Sequence, residues 1–303
     1  MKSALAAVLA LALTAAAPAA PRIDGTRLVQ DLRVLSADDM AGRYPGTPGS
    51  AKARAYVESR FREVGLTTKE QAFTYTTKAG VETPGVNVWG VVKGRKHPDR
   101  YIVVTAHCDH LGVKDGQIFH GADDNASGTA ALVAMAKYFK AHRPDHSLMF
   151  VALDAEEGGL RGAKALVANP PVPKDAMVLN VNLDMVARGD KGELYASGGY
   201  HNPGLVPVLE RVAKTAPVTL KLGHDRPEQG HDDWTDQSDH LAFHEAGIPF
   251  VYFGVEDHPD YHRPTDVFEK VNPDWYVRSV QTIAEAVKAL DADDAAIRAA
   301  KGK

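Results

Sequence analysis

The apolar residues beyond position 20 follow two patterns that alternate along the chain. Continuous apolar and β-branched runs of strand length are separated by longer segments whose apolar residues recur every three or four positions. The first pattern is typical of strands buried on both faces of a sheet, and the second is typical of amphipathic helices. Strands are predicted at residues 86–92, 101–106, 148–153, 177–183 and 249–253, and helices at 26–35, 50–64, 129–141, 160–168, 203–215, 238–246 and 274–290.

The alternation of strands and helices predicts an α/β fold. We expect a three-layer α/β/α sandwich, in which helices cover both faces of a mainly parallel, mixed central sheet. Ligands of such sheets bind at the carboxyl ends of the strands. No repeat or linker-like stretch divides the sequence, so a single catalytic domain is expected over residues 20–303.

The first 19 residues indicate where the mature protein is located. Lys2 gives a short positive start, residues 4–13 are an apolar run, and Ala17-Pro18-Ala19 is an A-x-A site. This order is typical of a cleavable secretory signal peptide, and the apolar run is too short to remain as a membrane span. We therefore expect residues 1–19 to be removed and the mature protein to be secreted or periplasmic.

Composition excludes several classes of partner. The hydrophobic fraction of 44% and the charged fraction of 24% are those of an ordinary globular protein. A formal net charge of -4, with lysine and arginine scattered, gives no sign of nucleic-acid or membrane binding. Cys108 is the only cysteine, so an internal disulfide is impossible. We expect a monomer.

Residue types that bind metals follow the predicted strands. His107 and Asp109 follow the second strand, Glu156 and Glu157 follow the third, and Asp184 follows the fourth. A glycine-flanked polar turn at 121–128 carries Asp124, and the loop after the last strand carries Tyr261 and His262. These side chains are expected to converge at one edge of the sheet.

Such a cluster needs a counter-charge. Carboxylates at close range repel one another, and without cations some of them would stay protonated. Imidazole nitrogen together with carboxylate oxygen suits zinc, whereas a set of oxygen ligands alone would suit calcium or magnesium. Two metals that share one carboxylate, roughly 3.5–4 Å apart, form a recognised hydrolytic centre. The pattern therefore favours a two-metal hydrolase.

Six ordered motifs extend this interpretation. Residues 106–112 (AHCDHLG), 121–128 (GADDNASG), 156–162 (EEGGLRG), 182–185 (NLDM), 238–240 (SDH) and 261–262 (YH) resemble those of the secreted bacterial di-zinc aminopeptidases of the leucyl type, metallopeptidase family twenty-eight. The matching stretch covers nearly all of the chain after residue 41. The resemblance implies a phosphorylase/hydrolase-like zinc exopeptidase fold, two Zn²⁺ ions, and peptide substrates with a free N-terminus.

The resemblance also implies the ligands. His107 and Asp184 would hold one zinc, Glu157 and His262 would hold the other, and Asp124 would bridge the two. The peptide bond after Asp124 is usually cis in this family, a costly geometry outside proline.

Three further roles follow from the resemblance. Glu156 would be the general base, and Tyr261 would donate a hydrogen bond to the oxyanion of the transition state. Asp109 would orient the imidazole of His107 through its second nitrogen. Glu157 can bind metal while Glu156 faces the water if the backbone there is extended, because consecutive side chains then point to opposite sides.

Other polar residues near the motifs receive plainer interpretations. Ser238 is expected to cap the helix that follows it, and Cys108 to be buried packing. The histidines outside the ligand set are expected to be surface or supporting residues rather than ligands; these are His110, His120, His231, His240 and His258.

The motifs leave three other functions open. A carboxypeptidase or dipeptidase of the same family would carry the same ligands. A glutaminyl-cyclase-like acyltransferase would use one zinc, which the full set of five ligands disfavours. A binding domain that had lost catalysis would typically lack a ligand or the base, whereas Glu156 and all five ligands are present.

Overall fold

The computed structural model describes residues 22–301, so the predicted signal peptide at 1–19 lies outside the described residues. One sheet of eight strands, in the order β1-β2-β6-β3-β7-β10-β8-β9, organises this part of the chain. Its strands are β1 (Lys69–Thr76), β2 (Glu82–Val92), β3 (His97–His107), β6 (His146–Leu153), β7 (Met177–Leu183), β8 (Glu193–Ser197), β9 (Thr219–Leu222) and β10 (Phe250–Gly254). A hairpin, β4 (Val113–Lys114) and β5 (Gln117–Ile118), lies apart from it.

The centre of the sheet is parallel. Strand β3 pairs in parallel with β6 and with β7, and β7 pairs in parallel with β10. Strand β2 is antiparallel to β6, and β8 is antiparallel to β10. Every residue of β6, β7 and β10 is buried, as the continuous apolar runs require. The predicted mainly parallel, mixed sheet is confirmed.

Helices cover both faces of the sheet. Ile102 and Val104 of β3 pack into a large apolar cluster on one face, whereas Val103 points into a smaller cluster on the other. The larger cluster includes residues of α1 (Gly25–Leu35), α2 (Pro48–Glu63), α3 (Gly128–Ala141), α5 (Val206–Ala213), α7 (Pro273–Asp291) and α8 (Asp294–Lys301). The smaller one includes residues of α4 (Arg161–Ala168) and α6 (His240–Glu245). The three-layer architecture is therefore confirmed.

Several predicted boundaries were wrong. Helix α2 begins at Pro48, because the side chain of Thr47 accepts a hydrogen bond from the backbone of Ser50 and caps it. The helix predicted at 203–215 is a 3-10 turn followed by a shorter α-helix. Strand β1 was not predicted, since most of its residues are at least partly exposed and no apolar run marks it. Within residues 22–301, none of the helices has the length and apolar character needed to cross a bilayer.

Candidate active site

The carboxyl ends of the parallel strands bring the predicted site residues together. His107 is the last residue of β3, and Glu156 and Asp184 come just after β6 and β7. Asp124 lies in the turn Ala122–Ser127, which leads into α3, and His262 lies in the loop after β10. Residues far apart in sequence thus meet at one edge of the sheet, as its topology predicts.

Asp124 stands between two groups of donors. One of its oxygens, Oδ1, is 3.4 Å from His107 Nε2, which is itself 3.3 Å from Asp184 Oδ1. The other oxygen, Oδ2, is 3.0 Å from His262 Nε2, which is 3.3 Å from Glu157 Oε2. Ligand atoms around a tetrahedral zinc, each about 2.0–2.1 Å from the metal, lie about 3.3 Å apart. Both groups have the spacing of a zinc shell, with Asp124 common to the two.

His110 is a third imidazole at this cluster. Its Nδ1 lies 2.8 Å from Glu157 Oε1 and 3.8 Å from Asp124 Oδ2, and its ring is fully buried. We expected His110 to be either a surface residue or a supporting residue. Its burial excludes the first alternative. The signal that could have found it is its position three residues after His107.

The acids of the cluster have no lysine or arginine as a partner in the described part of the chain. Among the described residues, no lysine or arginine forms an ion pair with Asp124, Glu157 or Asp184. Arg43 is fully buried nearby, but it donates its hydrogen bonds to backbone carbonyls, those of Leu35, Cys108, His120 and Gly121. The negative charge is left for a bound cation to neutralise.

The pKa values reflect this unbalanced charge. Burial opposes protonation of His107, but Asp184, Asp109 and Asp124 outweigh it and raise the pKa of the imidazole well above its usual value. Burial raises the pKa of Glu156 well above its usual value, and the charges of neighbouring carboxylates add to the rise. A bound metal would displace this proton, because the metal and the proton neutralise the same carboxylates. The donor set therefore fits a pair of divalent cations.

The turn that carries Asp124 is anchored from two sides. The backbone N–H groups of Asp123 and Asp124 both donate to the carboxylate of Asp266, a fully buried residue that the sequence analysis missed. The side chain of Asn125 donates to the carbonyl of Leu183 and accepts from Gly128. The peptide bond between Asp124 and Asn125 is cis, as the resemblance implied.

Asp109 fixes the turn of the two glutamates. Its carboxylate accepts hydrogen bonds from the backbone N–H groups of Glu156 at 3.0 Å and Glu157 at 3.3 Å. The atom of Asp109 nearest to His107 Nδ1 is its backbone carbonyl oxygen, at 3.2 Å, whereas its carboxylate is 3.6 Å away. Asp109 therefore faces His107 Nδ1 with both its main-chain carbonyl and its carboxylate, and the predicted side-chain role in orienting His107 stays a prediction.

The two glutamates diverge for a different reason from the one expected. Ala155 has a left-handed φ of 58°, so the segment after β6 is a tight turn and not extended backbone. Glu157 points to His110 and His262, while Glu156 points into a cavity that it lines with Asp124, Asp184 and His262. In the described part of the chain, no hydrogen bond or ion pair engages the Glu156 carboxylate. Its oxygens are free to accept a proton.

Ser238 has a different role from the predicted helix cap. Its hydroxyl donates to Asp184 Oδ2 at 2.7 Å and accepts from the side chain of Asn182 at 2.9 Å. This leaves Asp184 Oδ1 directed at His107.

The residue after Ser238, Asp239, is fully buried, and neither of its carboxylate oxygens has a hydrogen-bond partner among the described residues. Burial raises the pKa of Asp239 to about 8, so at neutral pH most of its carboxyl groups are protonated.

The remaining wall of the cavity is aromatic and apolar. Tyr261 stacks on His262 with ring centroids 3.9 Å apart. Burial raises the pKa of the Tyr261 hydroxyl, and the carboxylates of Asp124, Asp184, Glu157 and Asp257 raise it further. The hydroxyl therefore stays protonated at neutral pH and can donate a hydrogen bond. The wall is completed by Met185, Trp234, Tyr252 and Val255.

A comparison with known proteins agrees with this geometry. The model of peptidase family M28 matches residues 87–287 of the chain. Aminopeptidase YwaD of Bacillus subtilis is 31% identical over 233 residues, which are 73% of this chain and 48% of that protein. The chain spans about half the length of the curated relatives it matches.

Solved structures share the fold. BSAP, a zinc aminopeptidase from Bacillus subtilis, superimposes with a TM-score of 0.73 at 19% identity, over 88% of this chain and 95% of that one. Porphyromonas gingivalis glutaminyl cyclase gives a TM-score of 0.73 at 18% identity, over 88% of this chain and 99% of that one. Because the two neighbours superimpose equally well, the fold alone does not separate their activities.

Proposed function

The chain belongs to peptidase family M28, and on that premise we propose that it is a metallo-aminopeptidase that uses two zinc ions to release N-terminal residues from peptides. The observation that carries the proposal is the position of Asp124. Its two carboxylate oxygens face different histidines, His107 and His262, and each histidine has a further carboxylate beside it.

The donor groups divide between the two ions. His107, Asp184 and one oxygen of Asp124 would hold the first ion. Glu157, His262 and the other oxygen of Asp124 would hold the second. When bound, the pair of ions polarises the scissile carbonyl and lowers the pKa of the attacking water.

Glu156 and Tyr261 would supply the proton chemistry. The free carboxylate of Glu156 would accept a proton from the attacking water and return it to the leaving amine, a contribution of roughly 10²–10⁴-fold to the rate. The protonated hydroxyl of Tyr261 would donate a hydrogen bond to the carbonyl oxygen as negative charge develops there. A donor of this kind is typically worth about 3 kcal/mol.

The lining of the cavity favours an aminopeptidase over a carboxypeptidase. A carboxypeptidase must recognise the free carboxylate of its substrate, which is usually done with arginine or lysine. No arginine or lysine lines this cavity among the residues described, whereas Glu156, Asp184 and Asp257 do. An acidic cavity suits a substrate with a free α-ammonium group. The naming of the relative YwaD as an aminopeptidase supports the same choice.

The test combines metal content with substrate preference. Purified protein should contain about two zinc ions per chain and should hydrolyse aminoacyl-p-nitroanilides. It should be inactive on N-acetylated analogues and on substrates that expose only a C-terminal residue, and chelation should abolish turnover. Activity on the N-blocked or C-terminal substrates, or turnover that survives complete metal removal, would overturn the proposal.

We also propose that the protein is exported. The support is the positive start, the apolar run at 4–13 and the Ala17-Pro18-Ala19 site. Expression of the full chain in a bacterial host and N-terminal sequencing of the extracellular or periplasmic product should give a mature start at Ala20. Retention of the uncleaved chain in the cytoplasm would contradict this proposal.

A further inference from the structure

A carboxylate lies at the outer edge of the cavity. Asp257 follows β10 by three residues, lines the cavity together with Trp234 and Tyr252, and is exposed to solvent. It is not one of the groups that surround Asp124. Apart from Gln237, the other lining residues are aromatic or apolar, so the cavity combines the acidic cluster, a largely apolar wall and a second negative charge.

Unlike the other acids at the outer edge of the cavity, Asp257 lacks a partner among the described residues. A neighbouring cavity, which shares Val255 and Asp257 with the first, also contains three other acids. Asp190 pairs with Arg188, Glu193 pairs with Lys221, and Glu256 pairs with Lys191 and His224. In the described part of the chain, no hydrogen bond or ion pair engages Asp257.

The nearby side chains of Arg188 and Lys191 are already paired with other acids. Arg188 contacts Asp260 at 3.1 Å as well as Asp190, and Lys191 contacts Glu256 at 3.1 Å. The charge of Asp257 is therefore available to a ligand that enters the cavity.

The wall that leads to Asp257 is rigid. The indole of Trp234 lies flat on the ring of His224, with centroids 3.8 Å apart and planes 3° from parallel. Tyr195 and Tyr252 meet the indole edge-on from two further directions. An aromatic wall of this kind packs well against the aliphatic stem of a long side chain and attracts a cation at its end.

We propose that Asp257 binds the cationic side chain of an N-terminal lysine or arginine, so that the enzyme prefers peptides that begin with a basic residue. The inference rests on the proposed aminopeptidase function and adds its substrate class. The stem of the bound side chain lies along Trp234 and Tyr252, and its charged end reaches Asp257.

The α-ammonium group of the substrate is a less suitable partner for Asp257. That nitrogen is two bonds from the scissile carbonyl carbon, so it stays beside the groups that act on the carbonyl, Glu156 and Asp184. Asp257 lies at the solvent-exposed edge of the cavity and is not one of the groups around Asp124, so we assign it to the side chain of the substrate.

The test compares arginine with citrulline, which has the same shape without the charge. For the unaltered enzyme, kcat/KM for arginyl-p-nitroanilide should exceed that for citrullyl-p-nitroanilide by roughly five- to tenfold, as for one partly desolvated ion pair. In Asp257→Asn the ratio should fall to about one. The ratio should also decline as salt is added, because the pair lies near solvent.

Glu256→Gln is the matched control. It removes the same charge from the adjacent position, but Glu256 already has Lys191 and His224 as partners, so the arginine-to-citrulline ratio should persist. A ratio of one in the unaltered enzyme, or an unchanged ratio in Asp257→Asn, would overturn the inference. Equal losses for arginyl and citrullyl substrates in Asp257→Asn would assign Asp257 to the α-ammonium group and also overturn it. Absence of hydrolysis of any aminoacyl substrate would instead refute the proposed function.

Discussion

Two clusters of histidine and aspartate lie at opposite ends of the parallel strands. At the carboxyl end of β3, His107 lies with Asp124 and Asp184. At the amino ends of β3 and β6, His97 and His146 lie with Asp294 of α8. In both clusters the potential ligand atoms lie within 4.8 Å of one another, so distance alone would admit a metal at either.

The clusters differ in how their charge is balanced. At the amino end, Asp294 contacts Arg100 at 2.7 Å and Arg298 at 2.6 Å, and His146 lies between Asp291 and Asp294. At the carboxyl end, no lysine or arginine of the described chain pairs with the acids. Proximity of donors is therefore a weak criterion for a metal site. Negative charge that the protein itself leaves unbalanced is the stronger one.

The largest effect is expected from the general base at the carboxyl end. Glu156→Gln should lower kcat by roughly 10²–10⁴-fold, because the amide cannot accept the proton from water. It should keep its zinc, since the Glu156 carboxylate forms no hydrogen bond or ion pair with the proposed ligands in the described chain. Steady-state kinetics and metal analysis on the same sample test this. Unaltered hydrolysis, or loss of metal together with activity, would refute the assignment.

The second prediction tests whether only one cluster binds zinc. Zinc in thousandfold excess over its dissociation constant should stabilise the metal-free protein by about 4 kcal/mol for each ion bound, since a ligand that binds only the folded state adds RT ln(1 + [L]/Kd) per site. Asp124→Asn should lose most of this gain, and His97→Gln should retain it. Thermal unfolding with and without zinc gives the measurement. A loss of the zinc effect in His97→Gln would show that the charge argument is wrong.

The third prediction concerns His110, which contacts only the second group of donors. His110→Ala should weaken binding of one zinc ion by roughly 10–100-fold, as removal of a group that holds a metal ligand typically does. The other ion, beside His107 and Asp184, should remain. Competitive titration with a chelating dye measures the binding of the two zinc ions separately. His120→Ala serves as the control, because the His120 side chain bonds to the exposed Asp38; equal behaviour of the two variants would exclude a role for His110.

Much of the fold was predictable because its central strands carry a strong signal. Residues of β6 and β7 are buried throughout and mostly apolar, and the sheet topology then brings their carboxyl ends together. Strands β1 and β9 escaped prediction because their residues are largely exposed and their pairing is set by tertiary contacts. Motif order predicted the five proposed ligands, and the structure brings their side chains together.

Residues that act through other residues were harder to predict. Asp266 holds the turn of Asp124 through backbone N–H groups, and no local pattern distinguishes it from an ordinary loop acid. The left-handed turn at Ala155 could not be read from an alanine, which disfavours that conformation. The assignment of Asp257 as a binding residue depends on the absence of a partner for its side chain among the described residues, which only the packed structure reveals.

The smallest effect is expected at the amino-end cluster, where Arg100 and Arg298 already neutralise the charge of Asp294. Burial opposes protonation of His146, but hydrogen bonds to Asp291 and Asp294 outweigh it and raise its pKa. A raised pKa in the folded state means that the stabilisation is complete below the unfolded pKa of about 6.5 and is lost as pH rises through the folded value. His146→Gln should therefore reduce the free energy of unfolding by about 1–2 kcal/mol at pH 5.5, and by less as the pH rises through the folded pKa.

Chemical denaturation of the metal-free protein across this pH range isolates the contribution of His146 from that of the zinc site. His97→Gln is the matched control: its ring lies 4.6 Å from that of His146 but forms no ion pair among the described residues. His97→Gln should destabilise the protein less than His146→Gln at pH 5.5, because it removes no ion pair of the described chain. A pH-independent loss in His146→Gln would mean that the imidazole contributes packing alone. The amino-end cluster would then be held by its arginines, and the contrast with the carboxyl end would rest on those two ion pairs.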